Sequence, residues 1–251
     1  SNAVEFRVKE GCCCKKHIKT KYGDKKQITS SVEKMYIDFS HIEQMRILAI
    51  IPARAKSIRL KNKNRLKLGS KSLIKWTIDF VLRTKVIKDI VLSTDDEKII
   101  NENINNSKIK ILKRPSHLKG KNVKTISVIF NVIKKYESLF NKIDAVILFQ
   151  ATSPFRSRRK IDFAIRKFIQ FKMKKSVISV SSYNKNNKRK FMIKNNLLDE
   201  CKNSNFFKKF AINGNFYIAS KKFLIKYKSF FSTRKTYPVV LNSKKLQVDI
   251  D

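Results

Sequence analysis

The chain has 251 residues, 42% of them hydrophobic, and 58 Lys and Arg against 19 Asp and Glu give it a formal net charge of +39. That length and apolar content can bury a full core of ordinary single-domain size, so a soluble globular protein is expected. No apolar run approaches the about 20 residues that span a bilayer, and the N-terminus has no apolar signal core, so the expectation is a cytoplasmic protein with no membrane partner.

The charge by itself would point to a nucleic acid. The basic residues are mostly lysine, however, spread over every segment and accompanied by abundant Asn and Ile. AT-rich coding produces that mixture, whereas a nucleic-acid binder concentrates its charge on one face or helix. No DNA- or RNA-binding motif is present, and no specific nucleic-acid partner is expected. Cys12, Cys13 and Cys14 are adjacent, unlike the spaced pairs of zinc sites, and Cys201 stands alone; free thiols in a reducing compartment are the reading.

In chain order, Ser1-Asn2-Ala3 reads as the scar of a cleaved expression tag, and residues 4–44 as a peripheral extension without sustained periodicity. Ile47 to Ile51 is a short apolar run, a buried strand of a parallel sheet. It stops at Pro52 and gives way to a loop with Arg54, Lys56, Arg59, Lys61, Lys63 and Asn64, placed where ligands of such folds bind, beyond the carboxyl end of a strand. Leu73, Trp76, Thr77, Phe80 and Val81 share one helical face. Asp89 to Thr94 reads as the second strand, Glu97 to Ile104 as a short helix and Ile109 to Leu112 as a strand. Ile126, Ile129, Phe130 and Ile133 mark the next helix, Ala145 to Gln150 a buried strand, Ile161, Ile165, Phe168 and Ile169 a further helix, and Val177 to Val180 a strand. This alternation predicts an α/β fold, a mostly parallel sheet sandwiched by helices. After Ser182 a polar stretch, 183–209, breaks the rhythm before FAINGNFYIAS, the sign of a functional insertion or an interaction arm.

Several residues suggest chemistry directly. Arg54 offers a planar fork for phosphate and Lys63 a compact ammonium. Gln150, Thr152 and Ser153 follow a buried strand, where neutral donors and acceptors can read a polar ligand. Asp249 and Asp251 fall on one side of an extended segment, and paired carboxylate oxygens are what Mg²⁺ prefers.

The wording of these segments resembles one family. Pro52, Ala53, Arg54, Ala55, Ser57, Arg59, Leu60, Lys63 and Asn64 match the opening I-P-A-R-[AG]-G-S-K-R-[LI]-x-x-K-N of the cytidylyltransferases that activate sialic acid and related nonulosonic acids. VLSTDDEKI, LKRPSHL, FQATSPFRS, INGNFYIA and the closing QVDID follow in the family's order, so that the resemblance covers most of Met45 to Asp251. It implies a nucleotide-diphospho-sugar transferase (GT-A-like) fold, with 45–251 as the cytidylyltransferase domain. The implied reaction is Mg²⁺-dependent transfer of CMP from CTP to the anomeric hydroxyl of a nine-carbon sugar acid, releasing pyrophosphate, in a homodimer built through 183–209. It also implies roles: Ala53, Arg54, Ser57, Lys63 and Asn64 around the triphosphate, Arg114 and Thr125 at the cytosine, Gln150, Thr152, Ser153 and Asn213 at the sugar, and Asp249 with Asp251 at the metal. Arg54, Lys63 and Gln150 form the expected catalytic set.

The departures are Lys56 for glycine, Ile58 for lysine, Lys121 for aspartate, and Ala211 and Ile212 where relatives carry an arginine shortly before N-G. Arg189 or Lys190 then becomes the candidate for the sugar carboxylate. Two alternatives stay open: a nucleotide-binding relative without turnover, and a charge-driven nucleic-acid binder.

Overall fold

The run Ile47–Ala53 is apolar on both faces because both are covered, and it forms an interior strand of the sheet, β1. The protein is represented by a computed structural model that describes residues 45–55, 60, 62–120, 122–183, 189–201 and 208–247. These lie within the unit Ser40–Asp251; the extension 4–44 falls outside the described residues.

The helices expected from the 3.6-residue pattern are present: α1 (Leu73–Leu82), α2 (Glu97–Asn103), α3 (Thr125–Leu139) and α4 (Arg158–Gln170). Two start at side-chain caps: Ser72 accepts from Lys75 N at 3.3 Å, and Asp96 from Lys98 N at 3.1 Å. Small strands β2 (Lys67–Leu68) and β3 (Lys71–Ser72) form a hairpin ahead of α1, and Trp76 Nε1 donates back to Leu68 O at 2.9 Å. The remaining main strands are β4 (Asp89–Thr94), β5 (Ile109–Lys113), β6 (Ala145–Leu148), β7 (Ser176–Ser182), β10 (Phe210–Ser220) and β11 (Thr236–Val240). They line up as β11-β7-β10-β6-β1-β4-β5. All neighbours are parallel except β10, which runs antiparallel between β6 and β7.

Alternate residues of β1 enter opposite layers. Ile47, Ala49 and Ile51 pack with Ile74 and Ile78 of α1 and Ile161, Ile165 and Phe168 of α4. Leu48 and Ile50 pack with Val128, Ile129, Val132 and Ile133 of α3 and with Phe223 and Leu224 of α5 (Lys221–Tyr227). Burying each such side chain stabilises the fold by about 1.5–3 kcal/mol, and truncating Leu48, fully buried, to Ala would cost about 2–5 kcal/mol.

Two expectations are corrected. The strand expected to reach Gln150 ends at Leu148, so Gln150 sits in the turn beyond it. The stretch 183–209 holds regular structure: β8 (Phe191–Lys194) and β9 (Leu197–Glu200) form an antiparallel hairpin that joins the sheet at Phe210 through Phe191. The signal was Asn195-Asn196, which take φ values of 49° and 60°, the left-handed pair that a two-residue hairpin turn requires.

Candidate functional site

The parallel strands end at one edge of the sheet, and a cavity of about 330 Å³ opens there. Its walls come from four segments. Pro52 belongs to the end of β1, Arg54, Lys63 and Asn64 to the loop after it, and Arg114 to the chain leaving β5. Thr125 and Val128 belong to the first turns of α3, and Gln150, Ala151 and Thr152 to the turn after β6. Among the described residues, the lining holds three cations and no carboxylate.

The basic loop is held from below. Ala55 N donates to Asp95 Oδ1 at 2.8 Å, and Asn64 Nδ2 donates to Arg54 O at 2.9 Å, so Asn64 orders the loop by bonding its backbone. Lys63 opens a short 3-10 turn, Lys63–Arg65, entered through Asn62 at φ 55°. Asp96 caps α2 and pairs with Arg65 Nε at 3.1 Å. The adjacent acids Asp95 and Asp96 thus anchor both ends of the loop without entering the cavity lining.

Arg114 is buried, with 7% of its surface exposed. Its backbone N–H continues the sheet to Thr94 O at 2.9 Å and its Nη2 donates to Ser93 O at 3.3 Å, while Nε has no partner. Burial pulls the guanidinium below its ordinary pKa; the Asp95 carboxylate opposes that shift and Arg54 adds to it. An unpaired donor on a buried cation in the wall of a cavity is a ready contact for an acceptor-rich ligand. Thr125 is the first residue of α3, a 15-residue helix with no side chain capping its N-terminus. Its first amides therefore add positive potential to the same side of the cavity.

Behind Gln150 lies a polar support. Arg156, half-buried, donates from Nη2 to Gln150 O, from Nε to Asn215 O at 3.0 Å and from Nη1 to Thr77 Oγ1 at 3.0 Å. It lies over the rings of Phe149 and Phe80, 5.3 and 5.9 Å from the centroids. Burial lowers its pKa to about 9, which still leaves it charged at neutral pH. Ser153 Oγ donates to Asn213 O at 3.1 Å and Ser179 Oγ to Asn213 Oδ1 at 2.7 Å, while Asn213 Nδ2 is buried without a partner. The pairing of β10 with β7 shifts register between Ile212 and Tyr217. Gly214, at φ +76° within this bulge, leaves the space that Gln150 Oε1 fills; a Cβ there would overlap that oxygen.

Of the residues singled out from sequence, the cavity brings together Arg54, Lys63, Asn64, Arg114, Thr125, Gln150 and Thr152. Ala53 is buried at the end of β1, and Ser153 and Asn213 lie buried just behind the wall. Arg189 and Lys190 do not line the cavity: Arg189 pairs with Glu200 over the rings of Phe191 and Phe231, and Lys190 lies 5.4 Å from the Tyr183 ring. Ser57, Asp249 and Asp251 lie outside the described residues. Sequence reasoning missed Asp95, Arg156 and Gly214. Each stood in a quoted motif, but their work is done through backbone atoms, which a motif does not display.

Comparison with known proteins agrees with this geometry. The family model described as cytidylyltransferase matches residues 48–244. A CMP-N,N'-diacetyllegionaminic acid synthase of Legionella pneumophila is 34% identical over 218 residues, 82% of this chain and 91% of the relative. An N-acylneuraminate cytidylyltransferase of Escherichia coli is 31% identical over 215 residues, covering 82% of this chain and 49% of the longer relative. Among solved structures, a CMP:2-keto-3-deoxy-manno-octonic acid synthetase in complex with CTP superposes with a TM-score of 0.60 over 78% of this chain and 90% of that one, at 13% identity, a likeness of fold.

Proposed function

The chain belongs to the cytidylyltransferase family, and from that premise we propose that it transfers CMP from CTP to the anomeric hydroxyl of a nonulosonic acid. The observation that carries the reading is the cavity with Arg54, Lys63 and Arg114 on one side and Gln150 and Thr152 on the other, with no carboxylate among its described lining residues. Arg54 and Lys63 suit a triphosphate, Arg114 beside them the attached base, and the turn of neutral side chains a hydroxylated acid.

In this reading the anomeric hydroxyl oxygen attacks the α-phosphorus and gives up its proton to solvent, the bond from that phosphorus to the bridging oxygen of the β-phosphate breaks, and pyrophosphate leaves. Charge spreads over phosphoryl oxygens in the transition state, so positioning and cations supply most of the acceleration. Arg54 and Lys63 hold the triphosphate in this scheme, and Asp95 and Asn64 keep their loop in place. Arg114 and Thr125 face the base. Gln150 orients the acid, held in turn by Arg156 and by the space at Gly214.

Among the described residues no group of three or more His, Cys, Asp or Glu side chains is placed to hold a metal. The family resemblance assigns a hard divalent ion to Asp249 and Asp251, which lie outside the described residues and whose carboxylate oxygens are the kind of donor Mg²⁺ prefers. Bound there, the ion would supply charge neutralisation at the triphosphate. The hairpin β8–β9 and its flanking segments are the proposed dimer arm, and the cytoplasm the proposed compartment; no helix among the described residues is long and apolar enough to cross a membrane.

Thermal denaturation with nucleotides tests the cavity assignment, since a ligand bound to the native state raises its stability by mass action. CTP with Mg²⁺ is expected to raise the melting temperature more than ATP, GTP or UTP. Equal shifts with all four would mean charge alone and sink the assignment of a cytidine site.

A further inference from the structure

Opposite the nucleotide cavity, the sheet presents its other edge, where the parallel strands begin and β10 ends at Ser220 beside Ala145. A second cavity, of about 790 Å³, opens there between the turns before β6, β7 and β11 and helix α5. Half of its described lining, seven of fourteen residues, is lysine, against 58 Lys and Arg in the whole chain of 251. One of the seven, Lys221, is held by Glu137 at 2.6 and 2.8 Å. The other six, Lys142, Lys172, Lys174, Lys222, Lys226 and Lys235, are exposed. Asp144 is the one acid in the lining, and its Oδ2 accepts from Arg46 N at 2.9 Å. The floor is apolar, formed by Ile143, Met173, Phe223 and Tyr227.

Ile225, in the lining, is 49% exposed; Leu139, the last residue of α3, and Phe140 after it, three and two residues before Lys142 in the chain, are 64% and 44% exposed, the Phe140 ring lying against Tyr136 and beneath Lys110. Scattered single apolar residues need no explanation. Apolar tips set among lysines on one face are what a protein lodged at an anionic bilayer surface presents, the tips entering the headgroup layer and the ammonium groups meeting lipid phosphates. Nucleic acid is the poorer match: its binding rewards cations and stacking platforms, and leaves exposed Leu and Ile without a partner.

We propose that this edge is a docking surface for an anionic phospholipid bilayer, with the lysine-rimmed cavity receiving headgroup phosphates. The strands, about 20 Å long, then separate the bilayer from the nucleotide cavity, which faces away from it. CTP binding and membrane docking are therefore independent.

The test is sedimentation of the full chain with vesicles of phosphatidylcholine alone and of phosphatidylcholine mixed with phosphatidylglycerol, at physiological ionic strength. Binding to the mixed vesicles only is expected. A lysine near an anionic surface is worth about 1 kcal/mol, or about five-fold in affinity, so Lys222→Glu with Lys226→Glu should lower binding by at least about 25-fold, and Ile225→Ser by about ten-fold. Both variants should keep the wild-type melting temperature and its shift with CTP, and Arg54→Ala, at the other edge, should keep vesicle binding. Equal binding to neutral vesicles, or undiminished binding by the Lys222→Glu/Lys226→Glu double variant and by Ile225→Ser, would overturn the proposal. So would binding of single-stranded RNA, lost in the same variants, with no binding to vesicles.

Discussion

Arg156 donates from one guanidinium to the carbonyls of both Gln150 and Asn215, tying the turn after β6 to the bulge in β10. Those two segments carry the residues assigned to the sugar acid, so their separation is set by a half-buried cation that has no carboxylate partner among the described contacts. Arg156→Lys keeps the charge and loses the fork. Leaving buried carbonyls unpaired costs about 1–3 kcal/mol of stability, and displacing Gln150 should lower turnover about a hundred-fold. Denaturant unfolding and steady-state kinetics read the two effects separately.

Asp95 acts on the basic loop through the amide of Ala55. Asp95→Ala frees that loop and removes a carboxylate near Arg114, and the expected result is a KM for CTP raised about ten-fold, the equivalent of a charge-assisted hydrogen bond worth about 1.5 kcal/mol. An unchanged KM would mean the loop is fixed by other contacts.

Gly214→Ala should be more damaging to catalysis than its size suggests. The new methyl meets Gln150 Oε1 and the backbone sits at φ +76°, so the substitution strains the bulge and expels the amide together. Turnover should fall while the CTP-induced rise in melting temperature persists, because the cations on the other wall are untouched.

Glu137 bridges Lys221 Nζ and the amide of Ile143, the latter at 3.0 Å. Burial raises the pKa of its carboxyl, but the bonds from Lys221 and the Ile143 amide and the charges of Lys221 and Lys142 outweigh this and hold it below the usual value. A carboxylate with a depressed folded pKa adds stability above its unfolded pKa, near 4.3, and loses it as pH falls through the folded value. Wild type should therefore exceed Glu137→Gln in stability by about 1 kcal/mol at pH 7, and the gap should close in strong acid. A gap independent of pH would show that packing, not charge, is at work.

The sheet was legible because β1 and β6 are apolar runs, β4 has an apolar centre, and α1, α3 and α4 carry regular stripes, patterns imposed by burial on one face or two. The hairpin β8–β9 was hidden because its strands are four residues each and its turn signal, Asn195-Asn196, sits in a lysine- and asparagine-rich stretch. The cationic wall was visible in the basic residues that follow β1, while the supports of the site were not: Asp95 and Arg156 bond backbone atoms from distant segments, and Gly214 contributes an empty space. The charge of the sheet's opposite edge was equally hidden, since its lysines come from turns far apart in the chain.

The most direct measurement is pyrophosphate release by the full chain with CTP, Mg²⁺ and, in turn, sialic, legionaminic and pseudaminic acids. The account predicts release that requires both CTP and one of the acids, falls by orders of magnitude in Arg54→Ala, and yields the CMP-linked sugar in equal amount. Release that proceeds equally with ATP, GTP or UTP, or without any acid, would contradict it, as would a protein that binds CTP yet turns over none of the acids.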